Sequence, residues 1–290
     1  MMIWIAAGIL VAVGVAALVG CNTYLRYQGR TVARVEPQTL AGMLRPGYRV
    51  RLPDGDGPFP TALLFSGCDG PKDSLDFWSD TLNAMGWGTV VVDSHGPRGY
   101  DRAQIWRLIC VGQLLTGGER AGDIAVAIDD VRAMPGVDPD NLVLIGASHG
   151  GWSILDLLSL RDRGRLPFNL SRWPDSIAAR GLEGVRGMIL LYPYCGMGSQ
   201  VSRHGWAEDI PALFLLVEGD SIADEDSCKG VAGRMRQSGK DIEVHVLRDA
   251  THGFDQKEKN FMSTLEFSPE ATAEAVGYAR RFLDRVVEGH

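Results

Sequence analysis

The feature that most constrains the fold is a short apolar run that meets a serine bracketed by glycines, in residues 141–153. Residues 142–145 are typical of a buried strand, and apolar residues recur at helical spacing over 152–160. Ser148 therefore lies on a predicted strand-to-helix turn, flanked at two residues' distance by Gly146 and Gly150. This G-x-S-x-G pattern lets strand and helix pack tightly around a strained serine, and the helix N-terminus favours negative charge there.

Apolar strands and amphipathic helices alternate along the rest of the chain. Besides the serine strand, strands are predicted at 48–52, 61–65, 87–92, 185–192, 212–217 and 242–247, and helices at 73–85, 119–134, 225–237 and 270–287. This alternation predicts an α/β fold with a mostly parallel sheet and helices on both faces. Such a sheet collects its active residues at the carboxyl ends of its strands. Residues 161–184 are polar and contain prolines, which predicts either a lid or an ordinary surface loop.

Length and charge limit the class of protein further. A chain of 290 residues with 45% hydrophobic content can bury the core of one large α/β domain. Its net charge of −7 provides no basic footprint for nucleic acid.

The N-terminal 20 residues contain no charged side chain and are about long enough to span a bilayer. We therefore divide the chain into a signal or anchor segment (1–27), a lead-in linker (28–44) and a catalytic domain (45–290). Residues 18–21 also resemble the lipobox of bacterial lipoproteins, which makes Cys21 the candidate lipidation site. Arg26 and Arg30 follow the segment and by the positive-inside tendency favour a cytoplasmic domain, so lipoprotein and transmembrane anchor both stay open.

Four cysteines follow Cys21, without metal-ligand spacing. Cys195 and Cys228 follow predicted strand ends that should be neighbours, so we predict that they form a disulfide, with Cys68 and Cys110 as the second pair. Disulfides indicate an oxidising compartment and thus an extracytoplasmic, membrane-associated protein, whereas four free thiols would indicate the cytosol.

A serine nucleophile needs a general base, and the base needs an acceptor that fixes its tautomer. After a G-x-S-x-G turn the acid is expected behind a later strand and the histidine behind the next. Asp220 and His252 fill these two places, so we predict a triad of Ser148, Asp220 and His252. Asp224 or Asp226 could replace Asp220, and His95 and His149 also lie at strand ends.

The oxyanion hole should combine two backbone N–H groups. One belongs to His149, the residue after the serine. The other belongs to the loop after an early strand, residues 66–70, in which Cys68 is the best-placed donor.

Together these motifs resemble the α/β-hydrolase superfamily, and within it the dienelactone-hydrolase-like branch, over residues 45–287. The resemblance is carried by segments 65–70, 93–99, 146–151, 192–193, 219–220 and 251–254. It implies an α/β-hydrolase fold and hydrolytic chemistry. Dienelactone hydrolases proper use cysteine where this chain has Ser148, and many relatives have histidine where it has Ser66, so the dienelactone substrate does not follow.

The sequence therefore predicts a membrane-attached serine hydrolase that cleaves a small-molecule ester, lactone or thioester through an acyl-enzyme. The mechanism needs neither a metal nor an organic cofactor. The alternatives are a peptidase-type member of the superfamily and a non-catalytic binding protein that keeps the fold as a scaffold. Five tryptophans could line an acyl pocket or belong to the core: Trp78, Trp106, Trp152, Trp173 and Trp206.

Overall fold

The structure is a computed structural model that describes residues 2–259 and 263–288. The outermost bounds of the predicted segments, residues 1 and 290, lie outside the described residues. The helices are α1 (Met2–Tyr27), α2 (Pro37–Leu44), α3 (Asp73–Asn83), α4 (Arg102–Gln104), α5 (Gly117–Arg132), α6 (His149–Asp162), α7 (Asp175–Arg180), α8 (Val201–His204), α9 (Glu225–Gln237) and α10 (Pro269–Glu288). The strands are β1 (Tyr48–Arg51), β2 (Phe59–Phe65), β3 (Gly88–Val92), β4 (Val137–Ala147), β5 (Val185–Leu191), β6 (Ala212–Val217) and β7 (Ile242–Leu247).

The described strands form one sheet in the order β1-β3-β2-β4-β5-β6-β7. β1 pairs antiparallel with β3, and every other neighbouring pair is parallel. Each parallel strand after β3 is reached through a helix, which is the connection that parallel pairing requires. The mostly parallel sheet predicted from the alternation of strands and helices is confirmed.

Both faces of the sheet are buried, because successive side chains of a strand point to opposite sides. In β2, Leu63 and Phe65 belong to the core that also contains residues of α2, α5, α6 and α9, whereas Ala62 and Leu64 belong to the core that contains residues of α3 and α10. This double burial explains why the central strands are nearly continuous apolar runs. It also leaves the strand ends as the places where polar side chains can gather.

The lead-in predicted as linker is partly structured. Pro37 begins α2, and Leu40 and Leu44 of this helix are buried against α5. With 8 residues, α2 is too short to be stable alone and depends on this packing, so its local pattern is weak.

Residues 161–184 do not form a lid. They connect the end of α6 to the start of β5, so they return to the amino ends of the strands, opposite Ser148. Between these ends, Phe168 and Leu170 are buried against Gly118 and Gly122 of α5, α7 packs on the same helix, and none of these residues lines the cavity around Ser148. The alternative prediction, an ordinary connecting segment, describes them.

Candidate active site

Ser148 occupies the turn between β4 and α6 with φ +50° and ψ −111°. Such a conformation costs a non-glycine residue about 1–3 kcal/mol and persists only where the surroundings enforce it. A Cβ on Gly146 would lie 2.5 Å from the backbone N of Gly151, and one on Gly150 would lie 2.3 Å from the carbonyl O of Phe65. Glycine is therefore required on both sides of the serine.

Ser148, His252 and Asp220 form a continuous hydrogen-bonded chain. The Oγ of Ser148 lies 2.9 Å from Nε2 of His252, and Nδ1 of His252 lies 2.7 Å from Oδ2 of Asp220. Asp220 follows β6 and His252 follows β7, so the sheet brings together three residues that are distant in sequence. All three lie where the sequence predicts them.

The two other candidate acids are engaged elsewhere. Asp224 accepts a hydrogen bond from the hydroxyl of Ser227 at 2.7 Å, and Asp226 pairs with Lys229 at 2.9 Å. Both therefore belong to the beginning of α9, and the structure brings neither of them to His252.

The environment of Asp220 keeps its carboxylate ionised. Burial acts to raise the pKa of Asp220, but the hydrogen bond from His252 and the backbone N–H groups of Ala223 and Ile222 act in the opposite direction. These N–H groups lie 3.0 and 2.8 Å from Oδ1. The net result is a pKa below its ordinary value, as suits the acceptor of a catalytic histidine.

The other strand-end histidines are buried and neutral. Burial and the charge of Arg120 lower the pKa of His149 well below its usual value. Burial also lowers the pKa of His95, against the opposing effect of Asp93. His95 packs against Gly70 beneath the loop after β2 and does not line the cavity around Ser148.

The loop after β2 lies next to the serine, as an oxyanion hole requires. A Cβ on Gly67 would lie 3.7 Å from the Cβ of Ser148. Within the described residues, the backbone N–H groups of Cys68 and His149 donate to no other group. Both are therefore free to stabilise negative charge on a substrate oxygen.

Arg120 of α5 connects the loop after β2 to Ser94 and His149, and it was not among the predicted site residues. Its fully buried guanidinium donates to the carbonyl O of Ser66 at 2.7 Å, to Oγ of Ser94 at 3.0 Å and to Nδ1 of His149 at 3.3 Å. Burial lowers its pKa to about 10, so it stays charged at neutral pH. The available signal was its place on the predicted helix, four residues before Ile124 on the apolar face.

A second missed group supports His252. The ring of Tyr192 packs edge-on against His252, with centroids 4.7 Å apart. Its hydroxyl donates to Oδ1 of Asp255 at 2.6 Å, and the indole of Trp78 donates to Oδ2 at 2.7 Å. Burial raises the pKa of Asp255 despite these two bonds. Tyr192 thus packs against one side of the imidazole. Its hydroxyl is held by Asp255, which also accepts a hydrogen bond from Trp78.

A mainly apolar cavity of about 290 Å³ surrounds Ser148 and His252. Leu75, Trp106, Val111, Ile222 and Leu265 line it, and outside the predicted triad the charged group in its lining is Asp69. Trp106 is thus the predicted pocket tryptophan that reaches this cavity. A larger cleft of about 640 Å³ lies at the amino ends of the strands, away from these residues.

The remaining tryptophans have separate places. Trp78 and Trp206 are buried in the two cores, and Trp173 packs against the core of α5 and α6. Trp152 lines a side chamber of about 210 Å³ that also borders Ser148.

Both predicted cysteine pairs are bonded in the structure. Cys68–Cys110 joins the loop after β2 to the turn after α4, and Cys195–Cys228 joins the segment after β5 to α9. Cys21 is free and exposed. The described residues contain no group of three or more His, Cys, Asp or Glu that could hold a metal ion.

The C-terminal end of α1 also reaches the site. Tyr27 lines the side chamber and packs edge-on against Trp152, with ring centroids 5.8 Å apart. Residues Trp4–Tyr27 are long and apolar enough to cross a membrane, with a mean hydropathy of 2.4.

No protein-family model matches the chain. Dipeptidyl-peptidase 5 of Porphyromonas gingivalis is 29% identical over 116 residues, which are 38% of this chain and 16% of that protein. The corresponding enzyme of Porphyromonas endodontalis is 28% identical over 107 residues, or 35% of this chain and 15% of that protein. The matched stretches thus span about a sixth of the length of these curated relatives.

Solved structures resemble the chain over most of its length. Esterase 2 of Thermogutta terrifontis with propionate bound is 17% identical, with a TM-score of 0.60 over 82% of this chain and 89% of that one. A dienelactone hydrolase-like promiscuous phosphotriesterase from metagenomic libraries is 16% identical, with a TM-score of 0.58 over 82% and 92%. The chain has an α/β-hydrolase fold of the dienelactone-hydrolase-like type.

Proposed function

We propose that the protein is a serine hydrolase that cleaves a carboxylic ester, lactone or thioester of a small molecule. The observation that carries this proposal is the hydrogen-bonded chain from Ser148 through His252 to Asp220 at the carboxyl ends of the strands. The fold shared with esterases supports it.

In the proposed reaction, the Oγ of Ser148 attacks the ester carbonyl while Nε2 of His252 accepts the serine proton. The negative charge on the carbonyl oxygen is stabilised by the N–H groups of Cys68 and His149. When the C–O bond breaks, His252 gives its proton to the leaving alcohol and an acyl-Ser148 remains. Water then attacks the acyl group, His252 takes its proton, and the acid product leaves with regeneration of Ser148.

The lining of the cavity favours an acyl group over a peptide. Three large apolar side chains, Trp106, Val111 and Ile222, surround the approach to Ser148, and Asp69 is the charged group beside them. Peptidase activity is the second candidate, because the curated proteins that match part of the chain are dipeptidyl-peptidases.

We further propose that α1 attaches the protein to a membrane and that the catalytic domain lies outside the cytoplasm. The two disulfides favour an oxidising compartment. Arg26, one of the two charges that favoured the opposite orientation, forms an ion pair with Glu119 of α5. Arg26 therefore has a structural role, which weakens it as evidence for topology.

A fluorophosphonate probe tests the proposed nucleophile. We expect it to label the wild type and the control Ser227→Ala, and not Ser148→Ala, with all three folded by circular dichroism. Labelling of Ser148→Ala would refute the assignment. A folded wild type that neither reacts nor hydrolyses any ester would favour the scaffold alternative, whereas faster cleavage of peptide amides than of matched esters would favour the peptidase.

A further inference from the structure

The last two turns of α1 are fixed to the catalytic domain. The side-chain amide of Asn22 donates to Oε1 of Gln113 at 2.8 Å, and Gln113 in turn donates to Oγ1 of Thr23. Further along the helix, Arg26 pairs with Glu119. The orientation of the domain relative to α1 is therefore set by specific contacts.

The hydrocarbon layer must end close to these contacts. A bilayer core of about 30 Å needs about 20 helical residues, and the helix from Met2 to Cys21 has this length. Asn22 is the first strongly polar side chain of α1, and from Trp4 to Cys21 the helix is exposed. Trp4 and Tyr24 lie near the two ends of the apolar stretch, as aromatic residues do at membrane interfaces. The residues around Gln113 are thus at the level of the membrane surface.

The mouth of the cavity lies at the same level. Val111, two residues before Gln113, is 57% exposed and lines the cavity that contains Ser148. Trp106 and Ile222 line the same cavity and are 42% and 54% exposed. Exposed apolar side chains grouped beside a membrane helix indicate a surface that contacts lipid.

A basic groove lies beside α1, next to the segment after β5. It has a volume of about 630 Å³ and is lined by Tyr24, Met197, Arg163, Arg165 and Arg203, with no carboxylate among the lining residues that the structure describes. Burial lowers the pKa of neighbouring His204, and the three arginines lower it further. Met197 is 82% exposed. Basic residues near a membrane surface attract anionic headgroups by about 1 kcal/mol each.

We propose that the mouth of the catalytic cavity rests on the membrane surface and that the substrate is an amphiphilic ester taken from the bilayer. The inference rests on the proposed hydrolase function. The ester group rises to Ser148 past Trp106, Val111 and Ile222, while the apolar chain of the substrate stays in the lipid. The arginines of the basic groove hold anionic headgroups beside α1. A lipidated Cys21 would place the membrane at the same level, so the inference holds for either kind of anchor.

The test uses the full chain reconstituted in vesicles of phosphatidylcholine with and without phosphatidylglycerol. Two esters of one chromogenic alcohol are compared, a water-soluble butyrate and a palmitate that resides in the bilayer. Met197→Glu adds a charge at the lipid-facing surface outside the catalytic cavity. Arg203→Glu reverses one charge of the basic groove, and Val50→Glu is the control, because Val50 is exposed on the distant edge strand β1.

We expect Met197→Glu to lower the rate of palmitate cleavage about tenfold, because a charge replaces an apolar contact with lipid. The rate of butyrate cleavage should fall less than twofold. In Arg203→Glu, the acceleration of palmitate cleavage by phosphatidylglycerol should disappear. Val50→Glu should match the wild type on both esters.

The outcomes separate this inference from the proposed function. If the wild type cleaves the butyrate and palmitate cleavage is unchanged in Met197→Glu and Arg203→Glu, the membrane inference is overturned and the proposed hydrolase function stands. Loss of both activities in the wild type, with no fluorophosphonate labelling of Ser148, would overturn the proposed function and the inference that rests on it.

Discussion

The two sides of the catalytic cavity are built differently. On one side, Ser148, Asp220 and His252 are fixed by the ends of β4, β6 and β7 and by hydrogen bonds of 2.7 and 2.9 Å. The opposite wall consists of the turn around Trp106 to Val111 and a disulfide, and the end of α1 lines the adjoining side chamber. In the proposed function, the sheet thus fixes the reacting groups, whereas irregular segments determine which molecules reach them. Substitutions on the two sides should therefore affect different kinetic parameters.

The largest effect is expected from Asp220→Asn on the sheet side. Asparagine keeps the size of the side chain but fixes the wrong tautomer of His252, so kcat should fall by roughly 10⁴ with little change in KM. Initial rates on a soluble ester measure this loss. Asp224→Asn is the matched control, because this neighbouring carboxylate bonds to Ser227 and should keep near wild-type kcat. A loss of less than about tenfold in Asp220→Asn would show that another group orients the histidine.

The next largest effects are expected from removal of the two disulfides. The two removals should differ in their kinetic effects, because only one of the disulfides joins the two sides of the cavity. Cys195–Cys228 closes a loop of 33 residues and Cys68–Cys110 one of 42 residues, so replacing either pair by serine should cost roughly 4 kcal/mol of unfolding free energy. Because Cys68–Cys110 joins the oxyanion loop to the opposite wall, its removal should also raise KM and lower kcat.

Urea titration and ester kinetics on the two double variants test this difference. Removal of Cys195–Cys228 should change kcat/KM only a few-fold where the protein is folded. Equal kinetic effects of the two removals would contradict the division between chemistry and access. Peptide mapping of alkylated protein checks both pairings first, and four free thiols would remove the argument for an oxidising compartment.

The two sides also differ in how far the sequence predicts them. Ser148, Asp220 and His252 follow from strand periodicity and from the order of residues after a glycine-bracketed serine. Their positions need only the rule that parallel strands present their carboxyl ends at one edge. Arg120 could have been found from its place four residues before Ile124, on the apolar face of a predicted helix.

The opposite wall has no such signal. The contact of Tyr27 with Trp152 depends on where α1 meets the domain, and no periodicity encodes this position. For a related reason, helix α2 was not predicted within the linker, and the sequence left a lid and an ordinary loop both open for residues 161–184. Burial of Leu40 and Phe168 stabilises packed structure in these two stretches. Tertiary packing overrode the local pattern in both places.

The smallest predicted effect is a change in unfolding free energy per pH unit. It comes from two carboxyl groups whose pKa values are shifted in opposite directions. Burial raises the pKa of Asp156, on α6 beneath the end of α1, to about 8, although backbone N–H groups of Gln200 and Val201 act against this. The pKa of Asp220 is lowered instead. The native state should therefore keep the proton of Asp156 at a pH where the unfolded chain has lost it.

The raised pKa of Asp156 fixes the direction in which the unfolding free energy changes with pH. Between about pH 4 and pH 8 the unfolded chain binds fewer protons at Asp156 than the native state, so rising pH reduces the unfolding free energy by at most about 1.4 kcal/mol per unit. The stabilisation is complete below the ordinary pKa of 3.8 and is lost as pH approaches 8. Asp156→Asn should remove this slope, and Asp220→Asn should instead remove stability that is present above pH 4 and lost below it. Urea titrations at several pH values measure both, and an unchanged slope in Asp156→Asn would mean that this carboxyl is ionised in the native state.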